Sequence, residues 1–233
     1  MTEPLPLVSP NLFVHVMLDI ARSTKLPQSS GNLVPLEAPF LWPDLSGLST
    51  AAGKLQIACG WNAKGIGFTF EVKGGKKSNS TPTTGVIENP NSDLAPGIHL
   101  WLDTRNTRTI NRANRFCHQF HLTPGGANKG SGTAKKTEKP LCTQLPIQNA
   151  KSAPTILPSE SFQVQSESIT GGYRLSCWFK ADQLTGYDPD TCAQLSCAVV
   201  VKDEVLGELT FGPGTEYPVH YNPSLWQTLN LVK

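Results

Sequence analysis

Charge is scarce in this 233-residue chain: 16% of its residues are Asp, Glu, Lys or Arg, and the formal net charge is +2. No global field of either sign therefore draws nucleic acid or an anionic membrane to it. Long apolar runs are missing too. The opening MTEPLPLVSPNLFVHVMLDIARSTK has no basic stretch ahead of its apolar residues, and His15 and Asp19 interrupt them. It reads as neither a signal peptide nor a membrane span, and a cytoplasmic protein is expected. Paired-cysteine spacing is absent. Cys59, Cys117, Cys142, Cys177, Cys192 and Cys197 are scattered, so they are expected to stay reduced and to act largely as small core hydrophobes. A chain of this length needs no disulfide to bury a core. Also lacking are a P-loop, a glycine-rich dinucleotide turn, a nucleophile-elbow serine, and a CxxC or HxxxH pair.

A 3.6-residue apolar period is missing as well, while period-2 alternation recurs throughout. In LFVHVMLDIA, Leu12, Val14, Val16, Leu18 and Ile20 point one way. KLQIACGWNAKGIGFTFEV reads as a hairpin turning at Asn62 to Gly65, with Leu55, Ile57, Ile66, Phe68, Phe70 and Val72 inward. GIHLWLD, ANRFCHQFHL, SFQVQSES, GGYRLSCWFK, AQLSCAVVVKD, EVLGELTF and LWQTLNLV follow as further strands, and only Ala181 to Leu184 suggests a helical turn. Gly and Pro, 39 residues together, are spread along the chain as turn formers. Stretches 74–97 and 124–154 are rich in Gly, Ser, Thr, Asn and Pro and read as loops covering an edge or rim. About nine or ten strands in one body predict an all-β, two-sheet antiparallel sandwich of jelly-roll type. It spans residues 1–233 as a single domain, with a loop insertion at 124–160.

Residues 97–122 gather one tryptophan, four arginines, three histidines and one acid. Alternation sends Ile98, Leu100 and Leu102 to the core with Phe116, Phe120 and Leu122. His99, Trp101 and Asp103 then share the other face with Arg115, Cys117, Gln119 and His121. In 173–180, Trp178 likewise points outward with Arg174 and Ser176, and the outward Gly67, Thr69 and Glu71 leave a hollow. One sheet face carrying two tryptophans among Arg, His, Gln and Asp suits sugar binding. Indoles stack on pyranose C–H patches, and planar donors and acceptors bridge adjacent hydroxyls. On that reading Trp101 is the stacking platform, Trp178 a second wall, and Arg115, Gln119 and His121 the hydroxyl or carboxylate ligands. Arg105 closes the rim. An outward Trp101 is expected to be replaceable by alanine without loss of the fold. The structural reading buries both tryptophans under loops 74–97 and 124–154.

The order KLQIACGWNAKGIGFTFEVKG, GIHLWLDTRN, GGYRLSCWFKADQLTGYDPD and YNPSLWQTLNLV resembles the family 9 carbohydrate-binding-module-like, or DOMON-like, β-sandwich group. The resemblance covers about residues 53–233. It implies a non-catalytic sandwich that binds sugars through tryptophans, with structural calcium in some members and no other cofactor. Trp101 falls on the family's "L-F-hydrophobic-D-T-R" strand, and Asp103, Thr104 and Arg105 match its polar end. His99 stands where the family pattern has Glu, and the run Arg108, Arg112, Arg115, Cys117, His118, His121 goes beyond it.

Competing chemistry is thinner. Cys117, His121 and His99 would make a zinc site of weak spacing, and nothing local would activate Cys117 as a nucleophile. Asp188-Pro189-Asp190 reads as turn chemistry or, at long odds, a calcium ligand. From Arg105 to Lys139 there are eight basic residues and one acid, Glu138, whereas Asp182 to Glu208 carries six acids and Lys202. The alternative to a carbohydrate ligand is thus an anion, nucleic-acid or protein-docking surface on the basic 105–139 region, for which the acidic 182–208 side of a second copy is one candidate partner. Small net charge makes nucleic acid the weaker partner.

Overall fold

Alternating apolar residues do build strands here, and the strands pair into two facing sheets. The computed structural model describes residues 15–24, 26, 33–45, 53–74, 94–127 and 137–233. Among them run β1 (Met17–Ala21), β2 (Gly53–Asn62), β3 (Gly65–Gly74), β4 (Gly97–Asp103), β5 (Cys117–Thr123), β6 (Gly126–Ala127) and β7 (Thr137–Glu138). They are followed by β8 (Leu141–Leu145), β9 (Gln163–Ile169), β10 (Gly172–Lys180), β11 (Gln194–Asp203), β12 (Gly207–Phe211) and β13 (Gln227–Val232). Helix among these residues is limited to 3-10 turns at Ser159–Ser161, Ala181–Gln183 and Pro223–Leu225. One sheet has the order β1-β13-β11-β4-β5-β8, with β12 also on β11; the other is β2-β3-β10-β9. Only β1 with β13 is parallel among these pairs.

The inner faces meet as expected. Ile57, Phe68, Phe70, Leu175 and Phe179 from the four-stranded sheet pack on Leu100, Leu102, Phe120, Val199 and Leu229 from the seven-stranded one. Phe120 and Phe179 stack across the interface with ring centroids 4.1 Å apart. Each such side chain withdrawn from water contributes about 1.5–3 kcal/mol before entropy is counted. Leu55 is only partly buried, at the margin of this core. Leu18 and Ile20 point inward, while Leu12 and Val14 lie outside the described residues. All six cysteines are free thiols, and all but Cys192 are buried.

The stretch 124–160 is more than a loop. It contains the β6–β7 ribbon, and β8 extends the seven-stranded sheet with Gln119 opposite Leu145 and Thr123 opposite Leu141. Residues 128–136, like 75–93 of the other expected loop, lie outside the described residues. Strand β8 hides from a pattern search because a polar residue, Gln144, points inward. Its amide is satisfied there, accepting from Leu157 N at 3.0 Å and pairing with His118 Nδ1 at 3.2 Å.

Both outer faces carry a second apolar layer. Leu26, Leu33 and Leu36 cover the four-stranded sheet around Trp178 and Ala58. Leu36 N donates to Thr69 Oγ1 at 2.9 Å and Leu33 N to Gln165 Oε1 at 3.0 Å, fastening that cover. The hollow over Gly67 is filled by the indole of Trp178. A Cβ added to Gly67 would come within 3.0 Å of Trp178 Cε3 and 3.1 Å of Leu26 Cδ1. Over the seven-stranded sheet, Ile147, Val219 and Trp226 close on Trp101, Ala198 and Val200.

Candidate functional site

Within the paired strands β4 and β5 the facing is as the alternation places it. His99 pairs with His121, Trp101 with Gln119 and Asp103 with Cys117, all on the outer face of the seven-stranded sheet. Exposure is another matter. Trp101 and Asp103 are 0% exposed and His99 is 1% exposed. Loops knit over them: Ala113 N donates to Tyr221 O at 2.8 Å, Lys151 N to Ala113 O at 2.7 Å, and Trp226 Nε1 to Val219 O at 2.7 Å. Trp101 is therefore a core residue of the outer layer rather than an exposed stacking platform. Its replacement by alanine opens a cavity, which corrects the expectation that the fold would be spared. Trp178 is corrected too. Strand β10 pairs with β3 and β9 in the other sheet, so the two tryptophans lie on opposite outer faces and cannot wall one ligand.

Asp103 is consumed locally. One carboxylate oxygen accepts from Arg105 N at 2.9 Å, the other from Thr107 N and Thr107 Oγ1, both at 2.6 Å. The side chain shapes the turn after β4, as Asp does when its carboxylate mimics a backbone acceptor.

His121, His99 and Trp101 form a ladder of rings. The two imidazoles stack with centroids 4.5 Å apart, and His99 lies 5.9 Å from the Trp101 ring. Their Nε2 atoms meet the carbonyls of Pro96 at 2.9 Å and Ala95 at 2.7 Å, so each Nε2–H donates and each Nδ1 is left as an acceptor. Burial, and then the neighbouring His121, lowers the His99 pKa to about 3; burial also lowers that of His121. Both rings are neutral at physiological pH. His99 Nδ1, Trp101 Nε1 and Ser196 Oγ are buried on this face without a partner among the described residues. Beside them, at 7% exposure, the Gln119 amide makes no side-chain hydrogen bond to a described residue, and His121 is half-buried.

Arg105 and Arg115 stand at the end of the β4–β5 pair. Their guanidinium carbons lie 5.6 and 4.9 Å from the centroid of Phe116. That phenylalanine is not on the inner face with Phe120: it precedes β5 and caps the sandwich end, half-buried against Gly186. Gly186 adopts φ +84°, and a Cβ there would fall 2.6 Å from Phe116 Cδ1, so glycine lets both the turn and the ring fit. The other arginines of the stretch spend donors on the protein. Arg108 Nη1 donates to His15 Nε2 at 2.7 Å, and Arg112 Nε donates to Asn149 O at 2.8 Å.

The competing sites do not assemble. No group of three or more His, Cys, Asp or Glu side chains among the described residues is arranged to hold a metal ion. Burial, with Asp103 adding to it, pushes the Cys117 thiol up to about 12, leaving no thiolate for attack. Asp188 accepts from the backbone of Asp190 and Thr191 in an exposed turn. The alternation passed over further aromatic residues. Tyr217, His220 and Tyr221 are half-buried on the excursion between β12 and β13. His220 and Tyr221 meet edge to face at 4.9 Å, and Tyr221 packs on the Trp101 cluster. The aromatic density of EYPVHY was the available signal. No helix among the described residues is long and apolar enough to cross a membrane.

No family model and no curated protein matches the sequence. The fold does have solved likenesses. A family 9 carbohydrate-binding module from Caldicellulosiruptor kristjanssonii in complex with cellotriose superposes with a TM-score of 0.52 at 10% identity, over 93% of each chain. A glucose complex of a family 9 module from the same organism gives 0.53 at 11% identity, over 93% of this chain and 96% of that one. A Bacteroides uniformis protein with a suggested carbohydrate-binding role gives 0.51 at 10% identity, over 94% of this chain and 100% of the other. The two-sheet sandwich is thus the fold of family 9 carbohydrate-binding modules.

Proposed function

We propose that this protein is a non-catalytic carbohydrate-binding module. Its ligand lies on the outer face of the seven-stranded sheet, beside Gln119 and His121. The observation that carries the reading is the shared sandwich, matched along nearly the whole length of modules solved with cellotriose and glucose. The local chemistry supports it. A Gln amide offers two donors and an acceptor, and neutral His121 offers its Nδ1 lone pair; neither is spent within the described protein. Adjacent sugar hydroxyls are both donors and acceptors, so they suit such a mixed pair. Tyr221, half-buried and packed on the Trp101 cluster, is the aromatic side chain this reading sets against a pyranose. His99, Trp101 and Asp103 act from beneath, as the packed floor that sets the position of β4 and β5. Free thiols throughout suit a reducing compartment, and a cytoplasmic setting belongs to the same proposal.

The test is isothermal titration of the full chain with cellotriose and glucose, alongside a glycan array. Saturable binding that weakens in Gln119→Ala and Tyr221→Ala, with the melting temperature kept, is the expected result. No binding to any glycan, or binding indifferent to both substitutions, overturns the proposal.

A further inference from the structure

Two cations held on one ring without a counter-ion call for an explanation. Arg105 and Arg115 are both within 6 Å of the Phe116 centroid, and neither forms an ion pair or a side-chain hydrogen bond with a described residue. The ring is itself fixed by its packing on Gly186 and by Thr104 N, which donates to Phe116 O at 3.1 Å. Arg115 is tied in place at its backbone, where its N donates to Ser152 Oγ at 3.0 Å.

We propose that Arg105 and Arg115, at the Asp103–Cys117 end of the β4–β5 pair, form an anion subsite that receives the carboxylate of a uronic acid residue whose chain runs along the sheet toward Gln119. The proposal rests on the sugar-binding reading for the nature of the ligand. Stacking on a phenyl face engages the π surface of a guanidinium and leaves its edge N–H groups free, and those edges pair with a carboxylate two bonds at a time. The described stretch 104–127 carries four arginines and no acid, and the preceding Asp103 is spent on Arg105 N and Thr107. Asp188 is the carboxylate that feels Arg105. Its pKa is lowered chiefly by hydrogen bonds from Thr191 and least by Arg105, and it makes no ion pair with that arginine. Nucleic acid fits less well, since its binding is carried by many phosphate contacts along a track and a single arginine pair offers few.

Titration calorimetry of the full chain with trigalacturonate and with cellotriose, at low and moderate salt, tests the subsite. Trigalacturonate is expected to bind about ten-fold more tightly than cellotriose, and its advantage should shrink with added salt. The Arg105→Gln, Arg115→Gln double variant is expected to lose that advantage. Arg115→Lys, which keeps the charge but not the fork, guards against a folding defect and should lose part of it. Equal affinity for the two trisaccharides overturns the subsite and leaves the sugar reading standing. Binding of neither overturns the sugar reading as well. A folded double variant that binds trigalacturonate as the parent does also overturns the subsite.

Discussion

The β4–β5 end of the seven-stranded sheet manages its outward charges unlike the four-stranded sheet, and unlike the β11–β12 edge of its own sheet, where Lys202 pairs with Glu208. On the four-stranded sheet Arg174 donates to Glu71 through Nε at 2.7 Å and to Glu167 through Nη1 at 2.7 Å, and Lys73 Nζ lies 2.6 Å from Glu71. These residues are direct cross-strand neighbours, Glu71 opposite Arg174 opposite Glu167, so the ladder closes on itself. At the β4–β5 end of the other sheet, among the described residues, Arg105 and Arg115 have a phenyl ring and no carboxylate, while the Gln119 side chain has no hydrogen-bond partner. A surface that only needs to stay folded and dissolved spends its donors internally. One that binds keeps some unspent, and the contrast singles out the second face.

The largest effect is expected beneath that face. Trp101→Ala should cost about 3–5 kcal/mol, as large buried aromatics do, and Trp178→Ala a similar amount on the opposite side. Urea unfolding measures it. A loss below about 1 kcal/mol for Trp101 would mean that the outer layer is not packed as described.

Acid should strike the seven-stranded sheet next, through His99 on its outer face and His118 on its inner one. In the native state His99 has its pKa lowered to about 3 and His118 to about 4, both by burial first, against 6.5 as the ordinary value. The unfolded chain therefore takes up protons that the native chain refuses. Stability is full above pH 6.5 and falls as the pH drops from there toward 4 and then 3. On the four-stranded sheet Glu71 contributes only lower down. Its carboxyl is held below its ordinary value by the hydrogen bond from Lys73 and then by Arg174, a contribution lost as pH falls through the carboxylate range. Unfolding midpoints that stay level between about pH 7 and pH 5 would contradict the buried-histidine account.

Smaller effects separate binding from stability. Gln119→Ala should weaken cellotriose about ten-fold, near 1.4 kcal/mol, with the midpoint unchanged. Arg174→Gln should do the reverse, costing less than about 1 kcal/mol of stability because its partners are part-exposed, and leaving affinity alone. Exchanged outcomes for these two variants would move the site to the four-stranded sheet.

Much of the fold was legible because inner faces alternate cleanly: Phe68 and Phe70, Leu100 and Leu102, Leu175 and Phe179 all point where the period sends them. The site was legible only in part. Alternation assigns a side chain to a face but says nothing about what lies over that face. Trp101 and His99 are correctly outward and nonetheless buried, because Ile147, Val219 and Trp226 reach them from segments without any period. Trp178 was set beside Trp101 because the local pattern of β10 cannot reveal its partners, which are β3 and β9. A small outward residue such as Gly67 was a clue to a covering indole rather than to an open hollow. Asp103 looked like a ligand because an Asp after a strand serves equally as a turn acceptor, and only the contacts to Arg105 N and Thr107 decide.

The most direct test of the account is a map of amide and side-chain NMR shifts while cellotriose is titrated into the labelled protein. The account predicts saturating shifts centred on Gln119, His121 and Tyr221, with Glu71, Arg174 and Glu167 unmoved. Shifts centred on those three ladder residues, or none at saturating sugar, would contradict it.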